Sequence, residues 1–285
     1  MRFMQYKYLY FVISLLILIP GVFSLFRWGL RLSIDFTGGS LLELQASSSA
    51  GFAKAAQDNN LELSSTQSLG SDSYLLRFKP ITQEQNAKFK AALGDVKETR
   101  FETVGPVIGR ELTQKAILSI ILASLFIIIY IAWSFRKIPA PYSSWKFGVS
   151  AVVALLHDAF VVLGLFSLFG HFYHVEIDSL FVTATLTVIG FSVHDTIVVF
   201  DRIRENLGKL PQSTFEQVVD FSLAETLARS LNTSLTVTLT LTALLLFGGE
   251  SIRWFVIALL IGIVSGTYSS IFNASPLLVL WESRK

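Results

Sequence analysis

Gly190-Phe191-Ser192-Val193-His194-Asp195-Thr196-Ile197-Val198-Val199-Phe200-Asp201-Arg202 closes an apolar run that begins near residue 177. As a helix, the run is long enough to cross a bilayer. Asp195 then lies four to six residues inside its end, roughly 6–9 Å deep at about 1.5 Å per residue. A carboxylate at that depth costs a few kcal/mol, so something around it must compensate. Ionisable groups in such segments usually face a bundle interior and mark an ion path.

The rest of the chain has the same character. Hydrophobic residues make up 52% and charged residues 15%, and the mean hydropathy is +0.57. These values belong to a membrane protein rather than a soluble domain. A net charge of +2, scattered along the chain, gives no case for nucleic acid. The chain has no cysteine, which excludes disulfides, thiolate metal sites and cysteine nucleophiles.

Six apolar runs of spanning length are predicted, over residues 8–26, 116–135, 147–169, 177–200, 227–247 and 254–280. The first follows a short basic start (Arg2, Lys7) and reads as a retained span rather than a cleaved signal, with Pro20-Gly21 predicting a kink. Residues 201–223 form a polar connection in which Ser213 and Glu216 suggest a capping box for a short helix. Phe215, Val218, Val219 and Ser222 on one side of that helix would suit a membrane surface. Lys and Arg concentrate in residues 1–7, 136–146 (Arg136-Lys137 included), 201–209 and the tail at 282–285. The positive-inside rule therefore predicts both termini in the cytoplasm.

Residues 28–114 are of different material: polar, charged and alternating. Strands are predicted at 41–45, 61–69, 74–79 and 96–104, helices at 51–59 and 82–93, and a turn at Gly70-Ser71-Asp72. The second helix carries a Thr82/Gln85 capping box and a Gly94 stop. This β-α-β-β-α-β order is that of a ferredoxin-like domain. The fold expected is thus an α-helical membrane protein of six transmembrane helices with an inserted α+β ferredoxin-like extracytoplasmic domain. Its domains are 1–27 (first transmembrane helix), 28–114 and a five-helix bundle over 115–285. The insert shows no Ser/His/Asp grouping, metal-ligand cluster or phosphate loop, so no enzyme, metal or cofactor is expected.

The polar groups within the spans are the candidate site. Asp195 reads as a reversible proton site or as a structural carboxylate bonding a neighbouring helix, with Ser192 at i−3 as polar support. Arg229 opens the fifth span, and Asn232, Thr233, Thr236 and Thr240 continue one face. Two readings stay open: Arg229 snorkels while the threonines bond backbone carbonyls, or Arg229 switches the charge state of Asp195 by approaching and leaving. His157 and Asp158, mid-way through the third span, point about 100° apart; a relay and a buried hydrogen-bonded pair are both open. His194 reads as a helix-packing polar group. Gly262 and Gly266, continued by Ser269, Ser270 and Asn273, form a close-packing face. Asp35, Gly38 and Gly39 form a candidate hinge after the first span, although two glycines in a turn are also ordinary connection chemistry.

Four segments resemble the SecF half of the SecD/SecF protein-export family. They are Asp35-Phe36-Thr37-Gly38-Gly39, Val104-Gly105-Pro106-Val107-Ile108-Gly109, the run from Asp195 to Asn206, and Gly266-Thr267-Tyr268-Ser269-Ser270-Ile271-Phe272. The family is similar to half of a resistance-nodulation-division transporter. The resemblance implies proton-driven promotion of late protein export in a bacterial inner membrane. It implies a SecD partner, the SecYEG channel, YajC and a translocating unfolded preprotein, with Asp195 and Arg229 as proton-pathway residues. His194 stands where the family usually has asparagine. Two alternatives remain: a passive assembly subunit, and half of a small-molecule proton antiporter.

Overall fold

The computed structural model describes residues 2–282 apart from Ser71, Lys137 and Ala140. The predicted Gly70-Ser71-Asp72 turn, the Lys137 stop and the basic tail therefore lie partly or wholly outside the described residues. The chain divides into two compact units, Leu32–Leu118 and Met1–Arg31 with Ser119–Lys285.

A short 3-10 turn, Phe3–Tyr6, leads into α1 (Lys7–Arg27). Then follow α2 (Ile34–Thr37), β1 (Gly39–Gln45), α3 (Phe52–Asp58), β2 (Leu63–Gly70), β3 (Ser73–Phe78), α4 (Gln83–Leu93) and β4 (Lys97–Val104). The remainder is helical: α5 (Pro106–Ser134), α6 (Ser144–Tyr173), α7 (Ser179–Lys209), α8 (Phe215–Phe247), α9 (Arg253–Ser269) and α10 (Ser275–Glu282). Among the described residues, six helices are long and apolar enough to cross a membrane.

In the 32–118 unit the strands run β2-β3-β1-β4, every pair antiparallel. Leu42 and Leu44 of β1 and Leu76 and Phe78 of β3 are buried with Phe52, Ala55 and Ala56 of α3 and Phe89 of α4. Phe78 and Phe89 meet edge to face at 5.1 Å, a preferred aromatic geometry. The Thr82/Gln85 capping box forms, and Gly94 ends α4. One element escapes the sequence: the single-turn α2, capped by Ser33, whose side chain accepts from the Asp35 amide. Gly38 and Gly39 follow it at φ +71° and +129°. A Cβ on Gly39 would lie 2.9 Å from the Phe78 carbonyl oxygen. Positive φ and close approach are what glycine permits, so the pair acts locally as a packed turn.

The helical unit has its own core. Ile131 of α5 and Phe135 just after it pack with Phe147 of α6, Phe200 of α7 and Val218 and Val219 of α8. Two boundaries differ from expectation. The box at the start of α8 is Thr214 with Gln217, not Ser213 with Glu216. There is also no separate surface helix: α8 runs unbroken from Phe215, because Val218, Val219 and Leu223 bury against the bundle. The sixth span is interrupted by a five-residue π turn, Ser270–Ala274, between α9 and α10. Such turns recur at functional sites.

Glycine seams bring the helices close. A Cβ on Gly164 of α6 would lie 2.7 Å from Gly21 Cα of α1. Three residues further along each helix, Ser24 and Ser167 share a 2.6 Å hydroxyl contact. On α9, a Cβ on Gly262 would overlap Val188 of α7, and one on Gly266 would lie 3.1 Å from Ser192 Cα.

Candidate functional site

Two aspartates are buried in the bundle against α9, and their surroundings differ. Asp158 is wholly buried. Its Oδ2 accepts from Ser192 at 2.5 Å and Ser269 at 2.6 Å. Its Oδ1 accepts from Ser265 at 2.7 Å and lies 3.0 Å from His157 Nδ1. Four donors from α6, α7 and α9 thus surround one carboxylate, filling its acceptor positions. Asp195 is 2% exposed, and two hydroxyls bond it, Ser234 Oγ at 3.4 Å and Thr267. Ser234 in turn shares a 2.5 Å contact with Thr267.

α9 presents alternate faces to the two groups. Ser265 and Ser269, four residues apart, face Asp158, while Thr267 between them meets Ser234. The π turn opens immediately afterwards with Ser270, whose hydroxyl is 2.8 Å from that of Thr196, the residue after Asp195. Gly266 admits this packing because a side chain there would press on Ser192.

The sequence-selected residues separate accordingly. Ser192 serves Asp158 rather than Asp195. His157 and Asp158 do form a hydrogen-bonded pair. His194 is exposed on α7 rather than packed within the chain. Arg229 is exposed, and among the described residues no hydrogen bond or ion pair joins it to Asp195. It lines a cleft of about 290 Å³ with Val198, Asp201, Arg202, Glu225 and Thr226. Thr233, Thr236 and Thr240 bond carbonyls of their own helix at 3.0, 2.8 and 3.0 Å. Asn273 accepts from Ser14 of α1 at 2.8 Å.

The hydroxyls that do face inward from α8 are Ser222, Thr226, Ser230 and Ser234, all buried. Sequence reasoning passed over Thr226, Ser230 and Ser234, and assigned Ser222 to a membrane-surface helix. Their signal is regular i, i+4, i+8, i+12 spacing, which marks one helix face. Among the described residues no group of three or more acidic or histidine side chains could hold a metal.

Comparison with known proteins matches this arrangement to a family. The C-terminal model of protein export membrane proteins SecD and SecF matches residues 84–284, and the SecD/SecF GG motif matches residues 23–50. The protein translocase subunit SecF of Thermobaculum terrenum is 47% identical, over 98% of this chain and 93% of that protein. That of Anaerolinea thermophila is 44% identical, over 97% and 92%. A crystal structure of SecDF, a translocon-associated membrane protein from Thermus, superposes with a TM-score of 0.85 at 32% identity. That match covers 100% of this chain, which spans 39% of the SecDF chain. A second SecDF structure, in a super-membrane-facing form, gives a TM-score of 0.72. This multi-pass membrane chain therefore belongs to the SecD/SecF family of protein export membrane proteins.

Proposed function

We propose that the chain is the SecF-type subunit of a proton-driven export motor, a transporter component and not an enzyme. In this reading it pairs with a SecD subunit beside the SecYEG channel, with YajC as a further partner. Proton passage through Asp195 moves the 32–118 unit, which handles an emerging unfolded polypeptide. Both termini lie in the cytoplasm, following the basic loops. The 32–118 unit, with its βαββαβ order, is a ferredoxin-like module on the far side.

The contrast between the two carboxylates carries the proposal. Asp158 is surrounded by donors and serves as an anchor. Asp195 is nearly as buried yet has half as many donors, Ser234 at a long 3.4 Å and Thr267, which equips it to take up and release a proton. The outward face of α8 supports a partner, since Arg229, Asn232, Thr236 and Thr240 are exposed along a membrane-length helix. Polar groups in such spans normally face protein or water rather than lipid. The driving energy suffices: one charge crossing about 100 mV releases about 2.3 kcal/mol, and each 1.4 kcal/mol is about tenfold in an equilibrium.

Asp195→Asn tests this directly. In energised membrane vesicles the variant should lose proton-driven precursor export while remaining folded and assembled. Export at the native rate would leave the chain a passive scaffold, and dye uptake in place of export would indicate an antiporter.

A further inference from the structure

The buried hydroxyl row of α8 ends at Asp195 on one side and at an ion-pair clamp on the other. At the Asp195 end is Ser234. Ser230, one turn away, is 1% exposed, and its Oγ has no hydrogen-bond partner among the described residues. Thr226, the next turn, lines the cleft with Val198 and Arg229. Ser222, the last, accepts from Asn206 Nδ2 at 3.0 Å. From Thr226 to Ser234 the row covers about 12 Å at 1.5 Å per residue.

The cleft itself is bridged by a clamp. Arg202 of α7 donates through Nε and Nη2 to the two carboxylate oxygens of Glu225 of α8, at 2.7 and 2.8 Å. Its Nη1 reaches Glu205 at 2.6 Å, and Asn206 adds a 2.8 Å bond to Glu225. A two-pronged arginine–carboxylate pair fixes geometry better than a single contact does. Here it ties α7 to α8 two helical turns beyond Asp195.

We propose that Thr226, Ser230 and Ser234 carry the proton between Asp195 and water in the cleft, and that the Arg202–Glu225 pair is the gate on that route. The proposal rests on Asp195 being the proton site and names its path and regulation. Hydroxyls one turn apart are separated by about 5–6 Å, a gap that one bridging water spans. On release, the Asp195 carboxyl gives its proton to the Ser234 oxygen while Ser234 passes its own proton to the next oxygen. Each hydroxyl and water along the row repeats this exchange. At the end Asp195 is a carboxylate, every hydroxyl is restored, and one proton has joined the cleft water. Ser230, whose oxygen lies on the row and is otherwise unengaged, is the link that the route cannot lose.

The absence of cysteine makes the test clean. Ser230→Cys carries a unique thiol, to be challenged with a membrane-impermeant cationic thiosulfonate reagent. The reagent is applied to the cytoplasmic face of inside-out vesicles containing the chain and its partner subunit. Adding Glu225→Gln should speed labelling about tenfold or more, the equivalent of losing one good ion pair. Glu225→Asp, which shortens the clamp and keeps its charge, serves if the amide folds poorly. Leu231→Cys, on the exposed face, should label equally in both backgrounds. In the export assay Ser230→Ala should slow proton-driven export about tenfold or more, as for loss of a proton-transfer group, and Ser230→Thr should restore it. Labelling that ignores the clamp, or native export by Ser230→Ala, overturns the route. If Asp195→Asn abolishes export while Ser230→Ala does not, only this route falls. If Asp195→Asn exports at full rate, the motor falls and the route with it.

Discussion

A buried carboxylate is characterised by how many of its acceptor positions are filled. Asp158 receives hydroxyls from Ser192, Ser265 and Ser269 at 2.5–2.7 Å and the His157 ring beside it. Asp195 has two, a long 3.4 Å contact from Ser234 and one from Thr267. Removing the charge at each should therefore destabilise to different extents. Asp158→Asn replaces one acceptor oxygen with a donor and forces at least one serine to reorient or go unpaired, at about 1–3 kcal/mol. Asp195→Asn should cost less, about 1 kcal/mol or under, because only the long Ser234 bond and the Thr267 bond are disturbed. Thermal unfolding of the two variants in the same detergent checks this. Equal losses, or a larger loss at Asp195, would reverse the assignment of anchor and proton site. The sequence marked both aspartates as intramembrane charges. It could not rank them, because the hydroxyls that distinguish them arrive from three other helices.

At the scale of the element, packing depends on which face of a helix looks inward. Gly262 and Gly266 were legible because four-residue spacing of small residues is a local pattern. The Gly21–Gly164 approach was not, since its two halves lie on α1 and α6. Gly164→Ala would place a methyl 2.7 Å from Gly21 Cα, and backbone cannot move aside as a side chain can. Overpacking of this kind costs about 1–3 kcal/mol. Gly190→Ala on α7 meets nothing within 4 Å and should be neutral or stabilise by up to about 1 kcal/mol through helix propensity. Comparing their unfolding temperatures separates close approach from a general effect of replacing glycine. α8 teaches the complementary lesson. It has hydroxyls on two faces, Thr233/Thr236/Thr240 and Ser222/Thr226/Ser230/Ser234, and periodicity alone does not say which one the bundle buries. In the first set Thr236 and Thr240 are exposed and Thr233 half-buried, while the second set is buried, because Val218, Val219 and Leu223 orient the helix into the core.

At the scale of the molecule, the 32–118 unit and the helical unit each have a separate core, so conditions can perturb one and spare the other. Glu98 of β4 offers such a probe. A hydrogen bond from Lys90 holds its carboxyl below the ordinary glutamate value; Asn86 adds to this, while burial pulls the other way. A folded-state value below the unfolded one, about 4.3, gives stabilisation that is present above the unfolded value. It is lost as pH falls through the folded value. Hydrogen exchange at β1 and β4 amides should therefore quicken with acid more in the native chain than in Glu98→Gln, after correction for intrinsic rates. The amides of α7 should show no such difference between the two. An identical acid response in both chains would mean that the Lys90–Glu98 pair contributes nothing.

The local patterns in the chain were sufficient for the number of spanning helices, the order of strands and helices in the insert, the Thr82/Gln85 cap and the identity of the intramembrane carboxylates. Apolar run length, two-residue alternation and capping chemistry are short-range properties, written in neighbouring residues. The pairing of Asp158 with three serines, the α1–α6 glycine contact, the outward turn of Arg229 and the inward hydroxyl row of α8 were decided by tertiary structure. Each depends on the rotation of one helix against another. That rotation is set by the summed packing of many distant side chains, which no stretch of sequence contains alone.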